Sequence, residues 1–365
     1  MKNLKSNLHQ QRKGIDLPLL ISILILVIFG LIMVYDSSVV QALRDFKDSY
    51  YYIRQQLIWV SIGFASMIFF IQFDYKRFKN FSSFLLLVSF LLLIAVFIPN
   101  LGISGGGAHR WLRLGPITIQ PAEIIKLTSV IFLAAISQKK TRLIPFLVLC
   151  LAVTIVTAIL QKDLGSTIVF LATTSILYFG SGAPLWQFLV SLPIVIISFF
   201  LLIFTSSYRS KRILAFLNPF SDPQGYTYHI SQVLIALGSG GLFGLGLGHS
   251  RQKFAYIPEV TTDSIFAIIG EELGFVGASL VVILFTVLIL RGLRIAKNCQ
   301  DNFGKILALG ITSWLGIQVI INLSSMTALL PLTGVPLPFI SYGGSALVAN
   351  LTAVGILLNI SKQTQ

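Results

Sequence analysis

Residues 265–290 read IFAIIGEELGFVGASLVVILFTVLIL, an apolar run long enough to cross a bilayer as one helix. Its only charged residues are Glu271 and Glu272. Similar runs recur along the chain, so that 55% of its 365 residues are hydrophobic and only 11% are charged. Soluble globular proteins carry roughly 25% charged residues. The sequence therefore predicts a polytopic membrane protein.

The apolar runs also define the predicted architecture. Lipid cannot satisfy open backbone groups, so the spans are expected to be helices. The predicted fold class is all-α, one domain over residues 1–365 with ten transmembrane helices, a tail (1–16) and a long loop (205–264) between helices 7 and 8. The ten predicted spans are residues 17–35, 56–73, 81–98, 122–137, 144–160, 165–181, 185–204, 265–290, 306–326 and 341–360.

The net charge of +14 is spread over short basic clusters between the spans. With a cytoplasmic N-terminus, the tail and the loops 74–80, 137–142 and 291–305 all lie on the cytoplasmic side. This distribution follows the positive-inside rule and argues against nucleic acid as a partner. It predicts that both termini are cytoplasmic and that loop 205–264 is extracytoplasmic.

Loop 205–264 contains three features. HISQVLIALG (229–238) is apolar but too short to span, which favours an interfacial or re-entrant helix. GSGGLFGLGLG (238–248) has neither dinucleotide-binding nor P-loop spacing, so we interpret it as a close backbone approach or a hinge. The basic run 208–212 is typical of a headgroup contact or of docking for an anionic lipid substrate.

Acidic residues cluster where this loop meets the eighth span. Glu259 and Asp263 precede the helix, and Asp263 alone has a simple interpretation as a capping acid at the positive helix end. Glu271 and Glu272 lie two turns deeper, where a cap cannot explain them. Acids inside a membrane usually face a cavity or pair with a base. Together the four acids predict a functional site.

A second cluster lies at 102–127, GISGGGAHRWLRLGPITIQPAEIIKL. Arg110 can contact phosphate or lipid headgroups, and Trp111 is typical of an interfacial anchor. Glu123 and Lys126 are three residues apart on one helical face. They form either a self-satisfying buried pair or a charged pair that meets an anionic substrate.

Several catalytic classes are excluded by missing motifs. The chain has no HExxH, no cysteine–histidine cluster and no nucleophile elbow, so metalloprotease and serine-hydrolase chemistry are not expected. No set of metal ligands is predicted. The two cysteines, Cys150 and Cys299, give no disulfide framework.

Four long motifs occur in order: GAHRWLRLG…QPAEIIKL, NPFSDPQGYTYHISQVLIALGSGG, GLGHSRQKFAYIPEVTTDSIFAIIGEELG and LLPLTGVPLPFISYGGSALVANLTAVGIL. Over most of its length the chain resembles the SEDS family (shape, elongation, division and sporulation) of bacterial peptidoglycan polymerases, which includes RodA and FtsW. TGVPLPFISYGG looks more like RodA. The resemblance also implies ten transmembrane helices.

The resemblance implies a glycosyltransferase that polymerises lipid II at the outer face of the bacterial cytoplasmic membrane and releases undecaprenyl diphosphate, in cell elongation and shape maintenance. The Asp of the family's PExxTD motif falls on Asp263 and its Glu on Glu259, and the QPxExxK positions fall on Glu123 and Lys126. A class B penicillin-binding protein, a transpeptidase, is the implied partner, together with membrane lipids.

Glycan growth requires an acceptor hydroxyl to lose its proton as it attacks the anomeric carbon of the donor. A carboxylate within hydrogen-bond reach can be the base, and Asp263 is the predicted one. The departing diphosphate needs positive charge, for which Lys126, Arg110 and Arg251 are candidates. Glu259 is expected to position these groups or to support a metal. The sequence does not specify a cofactor, and Mg²⁺ or Mn²⁺ is an alternative source of positive charge.

Two other functions remain open at the level of sequence. A bundle with intramembrane acids can be a flippase for a lipid-linked precursor or an ion-coupled carrier, and a non-catalytic scaffold for cell-wall assembly is a third interpretation. Transporters place essential charges near the bilayer midplane. The strongest acidic cluster here is predicted at the outer boundary, which favours an enzyme.

Overall fold

The computed structural model shows a bundle of long helices with one small sheet. It describes residues 14–105, 108–115, 117–138, 141–184, 186–187, 189, 207–254 and 257–364. The helices are α1 (Leu17–Phe46), α2 (Tyr51–Gln72), α3 (Phe78–Ala95), α4 (Pro121–Ile136), α5 (Leu143–Thr154), α6 (Leu164–Gly180), α7 (Ser207–Leu217), α8 (Tyr228–Ser239), α9 (Ile265–Asn298), α10 (Asn302–Met326) and α11 (Gly344–Thr364). A 3₁₀ turn, Tyr75–Arg77, leads into α3, and π-helical Ile155–Leu160 continue α5.

Within these described ranges, seven helices are long and apolar enough to cross a membrane. They are α1, α2, α3 with its preceding turn, α5 with its π-helical continuation, α9, α10 and α11. The chain is therefore a multi-pass membrane protein, as the sequence predicts.

Nine of the ten predicted spans coincide with helices, α1–α6 and α9–α11. Two of these helices, α4 and α6, are shorter than the seven that meet the length for spanning. The predicted span 185–204 lies outside the described residues, apart from 186–187 and 189. The count of ten therefore stays a prediction.

Helix α1 extends beyond its predicted end at residue 35 by about three turns. It begins at Asp16, whose carboxylate accepts the N–H of Leu19 at 3.1 Å. It ends at Lys47, which adopts the left-handed conformation. The extension includes Asp36, whose Oδ1 accepts a hydrogen bond from Lys253 Nζ at 2.8 Å. This ion pair gives Asp36 a partner in the part of α1 that lies beyond the predicted span.

The centre of the bundle is formed by α10 and α11, whose side chains are largely buried. Helix α11 packs along α2, and α10 packs against α9, α6 and α4. Small residues allow these close approaches: a Cβ on Gly355 would lie 2.6 Å from the carbonyl oxygen of Met67. Hydroxyl pairs join other helices, including Ser66 with Thr352 at 2.6 Å.

The loop between α3 and α4 forms a three-stranded antiparallel sheet that the all-α prediction omits. Its strands are β1 (Gly102–Gly105), β2 (Ala108–Leu114) and β3 (Ile117–Ile119), in that order. Strand β2 turns Ala108 and Leu112 inward and leaves His109 and Arg113 exposed. Apolar and basic residues do not alternate strictly in AHRWLRL (108–114), so the sequence carries only a weak strand pattern here.

Helix α9 is interrupted at Gly274, which has φ 65° and ψ −165°. The glycine-rich segment of loop 205–264 replaces the helical hydrogen bonds that this break removes. The N–H groups of Leu245 and Gly246 donate to the carbonyls of Glu271 and Glu272, at 3.0 and 2.9 Å. In return, Phe275 N–H donates to the carbonyl of Gly241 at 2.9 Å. The predicted close backbone approach is confirmed, and it fixes loop 205–264 to α9.

Candidate functional site

The segment that precedes α9 is held by hydrogen bonds to three successive backbone carbonyls. Tyr342 N–H donates to the carbonyl of Thr261 at 2.8 Å, and Ser341 Oγ donates to that of Thr262. Asn322 Nδ2 on α10 donates to the carbonyl of Asp263 at 2.8 Å. The backbone that carries Asp263 is therefore fixed by α10 and by the loop before α11.

Asp263 is only 6% exposed. Its Oδ1 lies 3.3 Å from the Thr262 hydroxyl oxygen, and its Oδ2 lies under exposed Gly334, whose added Cβ would be 3.7 Å away. Burial, and then the negative charge of Glu259, raise the pKa of Asp263 from its ordinary value to about 6, while the charge of Arg212 opposes the rise. A pKa near the ambient pH suits a general base.

A cavity of about 300 Å³ lies between α7, α8 and the loop after α10. It is lined by Lys211, Arg212, Ala215, Phe216, Tyr226, His229, Ile230, Leu330, Pro331 and Leu332. Arg212 donates a hydrogen bond to the carbonyl of Leu332 at 2.8 Å, and its charge also acts on Asp263. The cavity is thus cationic and adjoins the segment that carries Asp263.

His229 connects the cavity to this segment. Its Nε2 lies 2.7 Å from Oγ of Ser264, the residue that follows Asp263. The predicted helix over 229–238 is observed as α8, and it places His229 in the first turn. Burial, and then the charge of Arg212, lower the pKa of His229 to about 4, so the ring is neutral near neutral pH.

Glu271 and Glu272 lie apart from this cavity and bind the loop before Asp263. Ser250 N–H donates to Glu272 at 3.0 Å, and the backbone N–H of Arg251 donates to Glu271 at 3.1 Å. Lys253 Nζ bridges Glu272 at 3.1 Å and Asp36 of α1 at 2.8 Å. The four acids of the predicted site are therefore divided into two groups, and the deeper pair fixes a loop.

Lys126 and Glu123 form a buried ion pair on α4, with Nζ and Oε1 2.7 Å apart. Lys126 also donates to Oε1 of Gln318 at 3.1 Å and lies over the ring of Trp314. No ion pair joins Lys126 to Asp263 among the residues that the structure describes. Lys126 is connected to Asp263 indirectly, through α10. Gln318, which binds Lys126, and Asn322, which binds the carbonyl of Asp263, donate to the neighbouring carbonyls of residues 336 and 335.

Arg110 and Trp111 lie on β2, both partly buried. Arg110 donates to the carbonyl of Lys162 at 3.1 Å and lies 3.8 Å from the carboxylate of Asp163. Asp163 in turn accepts the N–H of Ser166 at the start of α6. The sheet is thereby attached to the end of another helix.

Arg251 and Glu259 both have exposed side chains. Glu259 has φ 51°, a conformation that few residues other than glycine adopt, and its carboxylate accepts the Thr262 hydroxyl at 3.0 Å. The Thr262 hydroxyl therefore lies between Glu259 and Asp263. These are the two predicted site acids that the structure brings together.

Among the described residues, no group of three His, Cys, Asp or Glu side chains is arranged to hold a metal ion. Asp263 and Glu259 offer two carboxylates at most. A requirement for Mg²⁺ or Mn²⁺ stays an open prediction.

Sequence reasoning named neither His229 nor Lys253 as a site residue, and it treated Arg212 only as part of a basic run. Each lies far along the chain from its partner: His229 from Ser264, and Lys253 from Asp36. The basic run 208–212 was the one usable signal, since it marks the helix that brings Arg212 to the cavity.

A family model described as a cell cycle protein, for FtsW, RodA and SpoVE, matches residues 17–365. Stage V sporulation protein E of Bacillus subtilis (strain 168) is 43% identical over 358 residues, covering 96% of this chain and 98% of the relative. A probable peptidoglycan glycosyltransferase FtsW of Geobacter metallireducens is 39% identical over 367 residues, covering 98% and 97%.

Solved structures give the same fold. A chain of a peptidoglycan synthase complex, solved for the coordination of polymerization and crosslinking, superposes with a TM-score of 0.79 at 25% identity, covering 96% of this chain and 98% of its own. The rod shape determining protein RodA of Thermus thermophilus superposes with a TM-score of 0.70 at 26% identity, covering 96% and 97%.

Proposed function

The chain belongs to the FtsW, RodA and SpoVE family, and from this membership we propose that it is a peptidoglycan glycosyltransferase of the SEDS type. Its substrate is lipid II, which it polymerises into glycan strands at the outer face of the bacterial cytoplasmic membrane with release of undecaprenyl diphosphate. The Geobacter relative, a probable peptidoglycan glycosyltransferase by name, supports glycosyl transfer as the reaction class.

The observation that carries the proposal is the environment of Asp263. Its carboxylate is nearly buried, its backbone is fixed by α10 and by the loop before α11, and a cationic cavity adjoins it. A base must be fixed within about 3 Å of the proton that it removes. A leaving diphosphate needs preorganised positive charge. The two requirements are met side by side.

In the proposed reaction, Asp263 accepts the proton of the acceptor hydroxyl while the hydroxyl oxygen forms a bond to the anomeric carbon of the donor. The bond from that carbon to the diphosphate oxygen breaks, and the electron pair leaves with the lipid diphosphate. Burial supports this role because it makes the Asp263 carboxylate more basic than an exposed one.

The roles predicted for Glu123, Lys126, Arg110, Trp111, Arg251 and Glu259 in substrate binding remain part of the proposal. The contacts support some roles better than others. Glu259 shares Thr262 with Asp263, which fits a positioning role. Lys126 is already bound by Glu123 and by Gln318 of α10. These contacts fit a role in positioning α10 better than contact with a diphosphate.

The setting and the partner are finer proposals. TGVPLPFISYGG favours cell elongation, whereas the curated relatives carry the names of sporulation and FtsW proteins. A class B penicillin-binding protein as partner is supported by the likeness to a chain of a peptidoglycan synthase complex. Both termini are proposed to be cytoplasmic, which places Asp263 on the outer side.

The experiment is polymerisation of purified lipid II by the full-length protein in vesicles. We expect glycan chains from the natural sequence and a loss of at least about 100-fold from Asp263→Asn and Asp263→Ala, the lower end of the range for general base catalysis. Near-normal product from both variants would remove Asp263 as the base. Translocation of lipid II without any product would identify a carrier instead.

A further inference from the structure

The reaction outlined above uses only the positive charge of the cavity beside α7 and α8, and the cavity also contains the ring of His229. Lys211 and Arg212 contribute positive charge, and His229 contributes a ring nitrogen. At about 300 Å³ the cavity lies at the small end of the range for ligand pockets. It can accommodate a charged headgroup but not a whole lipid-linked disaccharide.

The hydrogen bond between His229 Nε2 and Ser264 Oγ fixes the orientation of the imidazole ring. A neutral imidazole has one N–H donor and one acceptor nitrogen. In this 2.7 Å contact the Ser264 hydroxyl can donate to Nε2 or accept from it. When the hydroxyl donates, the ring proton is on Nδ1, for which the described part of the chain provides no hydrogen-bond partner.

A neutral donor has an advantage at this place. A positive charge on His229, in addition to that of Arg212, would stabilise the Asp263 carboxylate and make it a weaker base. Burial and Arg212 keep His229 uncharged, because they lower its pKa to about 4. The ring can therefore donate a hydrogen bond to an anion without adding charge beside the base.

We propose that this cavity is the subsite for the diphosphate group of the lipid-linked donor, with His229 as a specificity-determining residue that donates to it from Nδ1. Lys211 and Arg212 supply the charge that holds the group and receives it as it leaves. The inference rests on the proposed function, since it assigns the diphosphate to this cavity rather than to Lys126, Arg110 or Arg251.

The test measures competition by two probes, undecaprenyl diphosphate and inorganic diphosphate, against lipid II polymerisation by the full-length protein. His229→Phe keeps an aromatic ring but removes both nitrogens. His229→Asn places an amide N–H near the position of Nδ1. Arg44→Ala, which removes an exposed cation on α1 far along the chain from the cavity, is the matched control.

We expect His229→Phe to weaken the binding of undecaprenyl diphosphate by about 10- to 100-fold, the loss for one hydrogen bond to a charged group. The same variant should raise KM for lipid II more than it lowers kcat. His229→Asn recovers part of the loss, and Arg44→Ala changes neither constant. If binding of both probes is weakened, the diphosphate itself is recognised. If only binding of undecaprenyl diphosphate is weakened, the subsite requires the attached lipid.

Equal affinity of the natural protein and His229→Phe for both probes overturns the subsite. A binding measurement separates this failure from failure of the proposed function. Asp263→Asn should lose polymerisation and still be stabilised thermally by undecaprenyl diphosphate, to the same extent as the natural protein. If that stabilisation disappears in His229→Phe, measured against the variant's own ligand-free melting temperature, the subsite stands even where polymerisation is not observed.

Discussion

At the scale of single residues, Asp263 shows how a carboxylate at the end of a long loop becomes a candidate base. Its carbonyl is bound by Asn322, and its carboxylate is removed from most of the solvent. Two charges of opposite sign, on Glu259 and Arg212, act on its pKa in opposite directions. A capping role alone does not require this environment.

The pH dependence of polymerisation should follow Asp263. With a pKa of about 6, the carboxylate is protonated below pH 6, so the rate should fall by about tenfold per pH unit there and level off above. Glu259→Gln removes a charge that raises this pKa, so its acid limb should move to lower pH. Initial rates from pH 4.5 to 8 test both statements. An acid limb that does not move in Glu259→Gln would contradict the assignment.

The buried pair of Lys126 and Glu123 makes a separate prediction. Lys126→Met leaves Glu123 charged and unpaired inside the bundle, so the unfolding free energy should fall by about 3–5 kcal/mol. The double variant Lys126→Met with Glu123→Leu should recover most of the loss. Thermal unfolding of purified protein in detergent measures this. If the double variant also polymerises lipid II, the role of Lys126 is to position α10. If the double variant is stable and inactive, Lys126 acts on the substrate.

At the scale of elements, the break in α9 and the glycine-rich segment form one structure. The freed carbonyls of Glu271 and Glu272 accept N–H groups from the segment. Lipid offers no hydrogen bonds, so a helix that breaks near a membrane must find such partners in the protein. The same contacts bring the carboxylates of Glu271 and Glu272 to Ser250 and Lys253.

Gly274→Ala should weaken this structure. The substitution places a side chain at φ 65°, and its Cβ would overlap the backbone of Gly244, so we expect a loss of at least about 1–3 kcal/mol. Gly238→Ala is the matched control, because it lies in α8 with open space around its Cβ and should be neutral or slightly stabilising. Thermal unfolding, with limited proteolysis of residues 241–254, compares them. Equal stability of the two variants would contradict the role of Gly274.

At the scale of the whole molecule, three distant parts of the chain meet around Asp263. Helix α10 contributes Asn322, the loop before α11 contributes Ser341 and Tyr342, and α8 contributes His229 through Ser264. Helix α1 binds the loop before Asp263 through the ion pair of Asp36 with Lys253. The bundle positions the candidate base from several sides.

The orientation of the bundle can be tested with introduced cysteines. Lys47 and Gln224 are exposed and predicted to be extracytoplasmic, whereas exposed Lys79 and Lys297 are predicted to be cytoplasmic. In intact cells, a membrane-impermeant maleimide should label cysteine at the first two positions and should label the other two only after permeabilisation. The reverse pattern would place Asp263 on the cytoplasmic side and contradict the proposed reaction.

The sequence by itself determined the helical membrane fold and most of its spans, and it predicted a functional site in the segment around Asp263. Apolar runs report their surroundings locally, because a bilayer acts on every residue of a span. Only the tertiary structure decided which acids belong together, since Glu271 and Glu272 bind Ser250, Arg251 and Lys253 while Asp263 adjoins the cavity. Hydrogen bonds and ion pairs between residues far apart in the chain leave no periodic pattern, and they exist only once the helices have packed.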